Sequence, residues 1–566
     1  MKKMKTTLAA ALACAGLLAP ALALAAKPDP EVINAIRDQG FNHSQVMHTL
    51  QHLTDQIGPR LTNSPSMREA SRWTEGQLKA WGLSNAHLEN FDFGRGWSYD
   101  RASIDLLSPR KTSLHAIPVA WTPGTRGAVQ AEVIYLDAVT VEELQKYHGK
   151  LKGKVVMLSE PTESTEAKRD ISKRYSAGEL AEMRNFDVKA RASDAEPLAD
   201  GVAQRRKMFA FNEAREAFLK AEGAQGALVK SYYDGSLIAS TGQNFRVGKT
   251  FPIPMLTLSA EHYNLLARTL ESGVTPKISF NVEAHFHDED TNGQNTIAEI
   301  PGAGQNGQQP EIVMLGAHLD SWHGATGGVD NGAGVAITME AIRILKAVGV
   351  KPRRTIRIGL WGGEEEGLIG SAAYVEQHFA SRPGPADPKE RAMSRYLWTS
   401  AGWPITQKPE YKLLSAYFNI DNGAGRLRGI YTQGNAGAKS TFGEWFSAVG
   451  DISEGTITTN NTGSTDHVSF DRVGLPGFQF IQDPLDYFTR LHHTDADTYD
   501  HALPDDMKQA AVVLATIVYQ AAQAEARMPR KPMPTEPTAA EKEAEKTQAD
   551  KRTRAKERRA QQGDRR

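Results

Sequence analysis

The chain contains 566 residues, of which 40% are apolar and 23% are charged, and its formal net charge is −1. A chain of this length is predicted to fold as two or three globular domains. The nearly neutral charge excludes a general electrostatic attraction to nucleic acid or to anionic membranes, so any such contact has to be local.

The first 26 residues have the pattern of an export signal. Three lysines among the first five residues precede an Ala- and Leu-rich apolar run, residues 8–26, which contains small residues suited to signal cleavage. We therefore expect an exported protein, periplasmic or extracellular. A membrane anchor is one alternative, although Gly16 and Pro20 interrupt the run, and lipid attachment at Cys14, the only cysteine, is another. No segment after the signal has the length and apolarity needed to span a bilayer.

The segment from Glu31 to Leu83 has the apolar spacing of helices. One helix is predicted to end at Gly58-Pro59, and the next is predicted to begin at Ser64-Pro65, where serine can cap the helix and proline suits its first turn. A strand is predicted over residues 102–107, "ASIDLL".

A second pattern begins near Ile117 and continues to about Val282. Short runs such as "AEVIYLD", "GALVKSYY" and "IPMLTLS" are typical of β-strands, and two helical segments lie between them. A polar, charge-rich stretch over residues 162–207 interrupts the series. It is interpreted either as a flexible loop with helical pieces or as a lid.

From Asn295 onward, apolar strands alternate with amphipathic helices. The strands are "EIVMLGAHLD", "RTIRIGLW", "LSAYFNID" and "GFQFIQ", and a long helix closes the series. This alternation predicts an α/β fold with a mostly parallel sheet and helices on both faces. Residues 528–566 form a polar, increasingly basic low-complexity tail. We expect it to be solvated or partly helical, with contact to an anionic envelope polymer as the alternative.

Candidate metal ligands follow the strands of this last region. In an open parallel sheet the carboxyl ends of the strands share one edge, so side chains that are distant in sequence can meet there. The candidates are His318, Asp320, Asp330, Glu364, Glu365, Glu366, Asp421, His492 and His493. A solvated cap or surface charge can explain each of them alone, but not the whole series at strand ends.

These side chains suit zinc, which binds imidazole nitrogen and carboxylate oxygen at about 2.0–2.2 Å. The set exceeds what one tetrahedral ion needs, and it fits two zinc ions about 3.5–4 Å apart with a bridging carboxylate. Asp330 is the natural bridge, because the glycines of "GATGGVDNGAGV" permit close backbone approach and the helix that follows favours an anion at its N-terminus.

The neighbouring candidates are assigned separate roles. His318 and Asp320 are two residues apart on a strand and face the same way, so Asp320 is predicted to accept the second N–H of the imidazole and to fix its tautomer. Glu364 and Glu365 diverge in an extended turn, so that one ligates a metal and the other acts as general base. Glu366 is expected to be a charge near a helix N-terminus rather than a catalyst.

The motifs "GAHLDSW", "GVDNGAGV", "WGGEEEGLIGS", "FNIDNGAG", "STDHVSF" and "HHTDADTYD" resemble the signature of the di-zinc exopeptidases, especially the carboxypeptidase Q-like branch. The resemblance covers residues 57–526 and includes "IGPRLTNSP". It implies an aminopeptidase-type catalytic domain made of residues 27–116 and 283–527. It also implies a β-rich, protease-associated insert over residues 117–282.

The resemblance also implies a ligand set. His318 and Asp421 would hold one zinc, Glu365 and His493 would hold the other, and Asp330 would bridge them, with Glu364 as general base. His493 is preferred over His492 because it begins the family's H-[TS]-x-x-D-T pattern, which leaves His492 as a packing or substrate-pocket residue.

One element departs from the family pattern. Aminopeptidase members often carry a tyrosine shortly before the S-D-H-like element, available to the developing oxyanion, and here that stretch is "TTNNTGSTDH". Tyr487 is a possible substitute, and simple packing is its alternative role. Asp466 and His467 match the S-D-H-like element and are expected near the site without an assigned role.

The resulting hypothesis is an exported zinc exopeptidase that acts at peptide ends or on dipeptides, without a nucleic-acid partner. The branch also suggests a homodimer. Aminopeptidase, carboxypeptidase and dipeptidase action remain open, as does side-chain specificity. Two alternatives are a di-zinc amidohydrolase or cyclase that acts on a non-peptide amide, and a non-enzymatic receptor on the same fold.

Overall fold

The computed structural model describes residues 29–162, 170–185, 199–249, 251–304, 307–391, 402–536, 538 and 540. The predicted signal, including Cys14, lies outside these residues. In chain order the described strands are β1 (Ser84–Asp92), β2 (Gly96–Ser108), β3 (Thr112–Ser113), β4 (Ala116–Pro118), β5 (Val129–Tyr135), β6 (Val155–Met157), β7 (Gly226–Lys230), β8 (Met255–Leu258), β9 (Lys277–His287), β10 (Asn292–Ile300), β11 (Ile312–His318), β12 (Thr355–Trp361), β13 (Ala380–Ser381), β14 (Thr406–Gln407), β15 (Leu414–Asn419), β16 (Leu427–Tyr431), β17 (Thr456–Thr458) and β18 (Gly477–Gln482).

The described α-helices are α1 (Pro30–Asn42), α2 (Val46–Gln51), α3 (Pro65–Ala80), α4 (Val141–Leu144), α5 (Ala177–Met183), α6 (Ala199–Ala221), α7 (Ala260–Glu271), α8 (Ala333–Val348), α9 (Ile369–His378), α10 (Pro388–Arg391), α11 (Ala438–Ser447), α12 (His467–Asp471) and α13 (Pro504–Gln523). Across the described part of the chain, none of them is both long and apolar enough to cross a membrane.

The first of two eight-stranded sheets has the strand order β1-β10-β12-β11-β15-β18-β16-β17. Its centre, from β12 through β11 and β15 to β18, is parallel. Antiparallel pairs join β1 to β10, β10 to β12 and β16 to β18. The sheet is therefore mixed, with the predicted parallel arrangement in its middle.

Both faces of this sheet are covered, as the continuous apolar runs of its central strands predict. Val313 and Leu315 of β11 belong to the cluster that includes the buried faces of α8 and α13. Met314, which points the other way, packs in a separate cluster with Tyr374 of α9 and Phe470 of α12. The fold is α/β, and helices flank the strands that carry the candidate ligands.

A second sheet has the order β3-β2-β9-β5-β6-β7-β8-β4. Strands β5 to β8 pair in parallel. In the chain, α6 precedes β7 and α7 follows β8. Its longest pairing joins β2 to β9 in antiparallel fashion, so the sheet extends beyond both ends of the predicted insert, residues 117–282. The second unit is thus a mixed sheet accompanied by two long helices, in agreement with the two helical segments predicted between its strands.

Local signals set several helix ends. Ser64 caps α3, because its hydroxyl accepts the Met67 N–H, and Pro65 occupies the first turn, as predicted. Gly349 ends α8 with a φ of 74°, a conformation that favours glycine. The predicted tail is packed at its start, where Met528 is buried and Arg530 donates to the Leu414 carbonyl.

Candidate metal centre

The predicted ligands collect at the carboxyl ends of three adjacent parallel strands. His318 is the last residue of β11, Glu364 follows Trp361 at the end of β12, and Asp421 follows Asn419 at the end of β15. Because β11 pairs with both β12 and β15, these three ends meet at one edge of the sheet.

One half of the site surrounds the imidazole of His318. Its Nε2 lies 3.5 Å from Asp330 Oδ1 and 3.7 Å from Asp421 Oδ1. All three side chains are buried. One nitrogen and two carboxylate oxygens thus converge on a point that suits a single cation.

The other half surrounds His493. Its Nε2 lies 3.0 Å from Glu365 Oε2 and 3.6 Å from Asp330 Oδ2. Asp330 therefore directs one oxygen toward each half of the site, which is the geometry of a bridging carboxylate. The His492 ring stacks on the His493 ring with centroids 3.7 Å apart, and His492 also has a nitrogen within ligand range of Asp330.

The residues fit a pair of cations. Within the described chain, buried atoms of this cluster have no hydrogen-bond partner, namely His318 Nε2, Asp330 Oδ2 and Glu365 Oε1. Such atoms are costly to bury unless an ion or another polar group meets them. Burial, followed by repulsion from neighbouring carboxylates, raises the pKa of Glu365 well above its ordinary range. A cation would reverse this effect.

Asp320 holds the turn that carries the two glutamates. Its carboxylate accepts N–H bonds from Glu364 (3.3 Å) and Glu365 (3.2 Å) and an O–H bond from Thr62 (3.0 Å). His318 Nδ1 instead lies 3.0 Å from the Asp320 backbone carbonyl and 3.6 Å from its carboxylate. The imidazole is therefore oriented by the peptide group, which differs from the role predicted for this side chain.

Glu364 and Glu366 are both buried beside this turn. Burial, then repulsion from Asp421 and Asp466, raises the pKa of Glu364 well above its ordinary range. Glu366 was expected to be a charge at a helix N-terminus, but α9 begins only at Ile369, and both Glu366 carboxylate oxygens are enclosed in the protein interior. The physical reason is that Gly367 and Leu368 donate to the Glu364 carbonyl in a separate turn, which contains Glu366 and precedes the helix.

Sequence reasoning missed two residues that support the site. Asp497 accepts the N–H groups of Val329 (2.6 Å) and Asp330 (3.0 Å), and so fixes the backbone of the bridging residue. Arg60 is fully buried and donates to the carbonyls of Leu319, Thr326 and Gly327, each at 2.8 Å. Arg60 lies in the motif "IGPRLTNSP" and Asp497 lies in the motif "HHTDADTYD". Membership of these motifs was the signal in the sequence that could have identified them.

Three further predicted neighbours of the site are buried. Burial, and then the charges of Asp330 and Asp421, raises the pKa of Tyr487 well above its ordinary range, so its hydroxyl keeps its proton beside the carboxylates. Burial raises the pKa of Asp466 to about 7. His467 contacts Gln433 and the Thr462 carbonyl through Nε2, and burial lowers its pKa to about 4.

The second sheet contacts the loop that carries the histidines. The Ser240 N–H donates to the His493 carbonyl (2.7 Å), and the Tyr233 hydroxyl donates to the His492 carbonyl (3.0 Å). Asp495 accepts the Ile238 N–H (2.8 Å). The second sheet therefore helps to position a candidate ligand of the first.

Comparison with known proteins places the site in a family context. Residues 295–518 match the model of peptidase family M28. Carboxypeptidase Q of Mus musculus is 26% identical over 482 residues, which cover 84% of this chain and 86% of the relative. Aminopeptidase YwaD of Bacillus subtilis (strain 168) is 23% identical over 533 residues, which cover 93% of this chain and 96% of the relative.

Solved structures share the fold. A peptidase M28 precursor from Shewanella amazonensis SB2B superimposes with a TM-score of 0.61 at 22% identity and covers 90% of this chain and 99% of its own. BSAP, a zinc aminopeptidase from Bacillus subtilis, superimposes with a TM-score of 0.52 at 17% identity and covers 85% of this chain and 95% of its own. The likeness extends over both sheets.

Proposed function

We propose that this chain, whose residues 295–518 form a peptidase domain of family M28, is an exported two-zinc exopeptidase that cleaves peptide bonds at chain ends or in dipeptides. Its relatives include proteins named as a carboxypeptidase and as an aminopeptidase. These two names differ in the end of the peptide from which residues are removed, and both ends stay open here.

The observation that carries the proposal is the position of Asp330. One of its oxygens lies 3.5 Å from His318 Nε2 and the other lies 3.6 Å from His493 Nε2. A buried carboxylate between two imidazoles, with Asp421 on one side and Glu365 on the other, suits two cations that share one ligand. His318 and Asp421 would hold one zinc, and Glu365 and His493 would hold the other.

A zinc pair, when bound, supplies Lewis acidity that polarises the scissile carbonyl and acidifies the attacking water. Glu364 is the general base in this scheme. It takes the proton of the water and delivers it to the leaving amine, so the reaction needs no covalent intermediate. Its buried position keeps bulk water from competing for that proton.

Two neighbours support this chemistry. Asp320 fixes the turn by accepting the amide protons of Glu364 and Glu365, which orients the base and the ligand together. Tyr487 keeps its proton next to the carboxylates and is therefore available to donate to the oxyanion that develops on the carbonyl.

Export rests on residues 1–26, whose pattern is that of a cleaved signal. The carboxypeptidase Q-like motifs favour a homodimer. Mass determination of the mature chain tests the first inference, and sedimentation equilibrium tests the second.

The central experiment combines metal analysis with a panel of dipeptides that are free, N-blocked or C-blocked. We expect two zinc ions per chain and hydrolysis that stops on chelation and returns with zinc. Loss of activity on N-blocking identifies an aminopeptidase, and loss on C-blocking identifies a carboxypeptidase.

Two results would count against this function. A purified chain that binds no zinc in zinc-replete buffer would favour a non-enzymatic receptor. A chain that binds two zinc ions but hydrolyses none of the peptides would favour an amidohydrolase or cyclase that acts on another amide.

A further inference from the structure

A groove of about 330 Å³ lies on the second sheet, outside the metal centre. The helix α6 forms one wall, and the ends of β7 and β8 with the segment 239–243 form the other. Its rim is apolar and open to solvent, since Met208, Phe209 and Tyr232 are 51%, 38% and 59% exposed. Three large apolar side chains exposed beside one groove are typical of a binding surface.

Arg215 provides a positive charge inside this groove. Its side chain is half-buried, and no acceptor in the described chain lies within hydrogen-bond distance of its Nε. Burial lowers the pKa of its guanidinium. The adjacent Glu216 accepts a hydrogen bond from Gln243 Nε2 (3.3 Å). A half-buried guanidinium that lines a groove is complementary to a carboxylate, which it can bind through two parallel hydrogen bonds.

The groove adjoins the metal centre. Tyr232 lines the groove, and the next residue, Tyr233, donates its hydroxyl proton to the His492 carbonyl (3.0 Å). The wall formed by segment 239–243 is also hydrogen-bonded to the loop that carries His492 and His493. Ser231 Oγ accepts the Ala239 N–H (3.1 Å), and the next residue, Ser240, donates to the His493 carbonyl. One wall of the groove is therefore joined directly to the loop that carries His493.

We propose that this groove is a subsite for the far end of a short peptide substrate, in which Arg215 binds the free C-terminal carboxylate. The rim formed by Met208 and Phe209 takes an apolar C-terminal side chain. This inference rests on the proposed peptidase function and narrows its substrate class to short peptides with a free, apolar C-terminus.

The test compares the parent enzyme with Arg215→Gln, Arg215→Lys and a matched control, Lys220→Gln, which removes an exposed cation from the same helix. The substrates are di-, tri- and tetrapeptides that end in leucine, each as the free acid and as the C-terminal amide. Zinc content and melting temperature are measured for every variant, so that a folding defect is recognised.

At the peptide length that reaches Arg215, Arg215→Gln should raise KM for the free acid by roughly ten-fold or more, because a charge-assisted hydrogen bond is lost. Neither kcat nor hydrolysis of the amide should change to a comparable extent. Arg215→Lys should retain part of the preference for the free acid over the amide. Lysine keeps the positive charge but cannot form two parallel hydrogen bonds with the carboxylate. Lys220→Gln should behave as the parent.

Equal effects of Arg215→Gln on acid and amide at every length, or no effect on either, would overturn the subsite. Inhibition by free leucine that is the same for both substrates and that disappears in Arg215→Gln would instead reveal an effector site. If the parent hydrolyses neither substrate with zinc present, the proposed function fails first. The parent's own activity therefore separates that failure from failure of the subsite alone.

Discussion

Replacement of Asp320 by asparagine tests how the site is held together. The carboxylate uses both oxygens, since Oδ1 accepts the Glu364 N–H and Oδ2 accepts the Glu365 N–H and the Thr62 hydroxyl. An asparagine offers one acceptor oxygen and places an NH₂ group against the remaining donors. At least one buried N–H then loses its acceptor, at a cost of about 1–3 kcal/mol.

The position of this loss determines which metal is affected. His318 Nδ1 lies closer to the Asp320 carbonyl (3.0 Å) than to its carboxylate (3.6 Å), and the substitution leaves the carbonyl in place. Glu365 belongs to the His493 half of the site and depends on the altered turn. We therefore expect zinc affinity to fall by roughly 10- to 100-fold at the Glu365–His493 half and to change little at the His318–Asp421 half.

Calorimetric zinc titration of the chelator-treated protein measures the two affinities, and anomalous scattering from crystals at limiting zinc assigns each to its half. Asp100→Asn is a matched control, because Asp100 is exposed and pairs with His285 (3.0 Å) away from the site. Selective loss of the ion beside His318 would refute this reasoning and restore the carboxylate as the partner of the imidazole.

Three further variants test other parts of the molecule. Glu364→Gln should retain zinc and lose roughly 100-fold or more of kcat, as measured by metal analysis and steady-state kinetics, and normal turnover would exclude it as the base. Arg60→Met should destabilise the fold by roughly 3 kcal/mol or more, seen as a lower melting temperature, because three backbone carbonyls lose their donor and Asp497 loses the attraction of a buried positive charge. Burial raises the pKa of Glu216 to about 7, so its proton stabilises the fold at low pH, and this stability is lost as pH rises from about 4.5 to 7. The melting temperature of Glu216→Gln relative to the parent should therefore increase across this pH window, and a difference that is constant with pH would contradict the assignment.

Much of the catalytic sheet was accessible from sequence because its signals are local. The runs "RTIRIGLW" and "GFQFIQ" coincide with β12 and β18, since buried parallel strands are apolar on both faces. Serine, proline and glycine marked helix ends for stereochemical reasons. The convergence of His318, Glu365 and Asp421 followed from one rule about strand ends.

The features that sequence did not reveal depend on tertiary contacts. β2 and β9 pair across about 180 residues, so neither strand indicates its partner or how far the second sheet extends. Whether a carbonyl or a carboxylate of Asp320 meets His318 depends on the path of the turn, which residue spacing does not define. In the sequence, Arg60 and Asp497 look like ordinary polar residues of loops. Their role becomes visible only in the fold, where both bind the backbone of the glycine-rich segment that contains Asp330.

The two sheets therefore contribute different properties to one site. Strand ends of the first sheet carry the groups that we propose to hold metal and to move the proton, and these groups are fixed by buried contacts such as those of Asp497. The connection between β7 and β8 of the second sheet contacts the loop of His493, and the groove lies beside this connection. If the groove binds peptide as proposed, changes in its lining alter which peptides are accepted while the ligand geometry stays intact. Ser240 donates to the His493 carbonyl and Tyr233 donates to the His492 carbonyl, so substitutions at either residue would shift the loop that carries the proposed ligand His493.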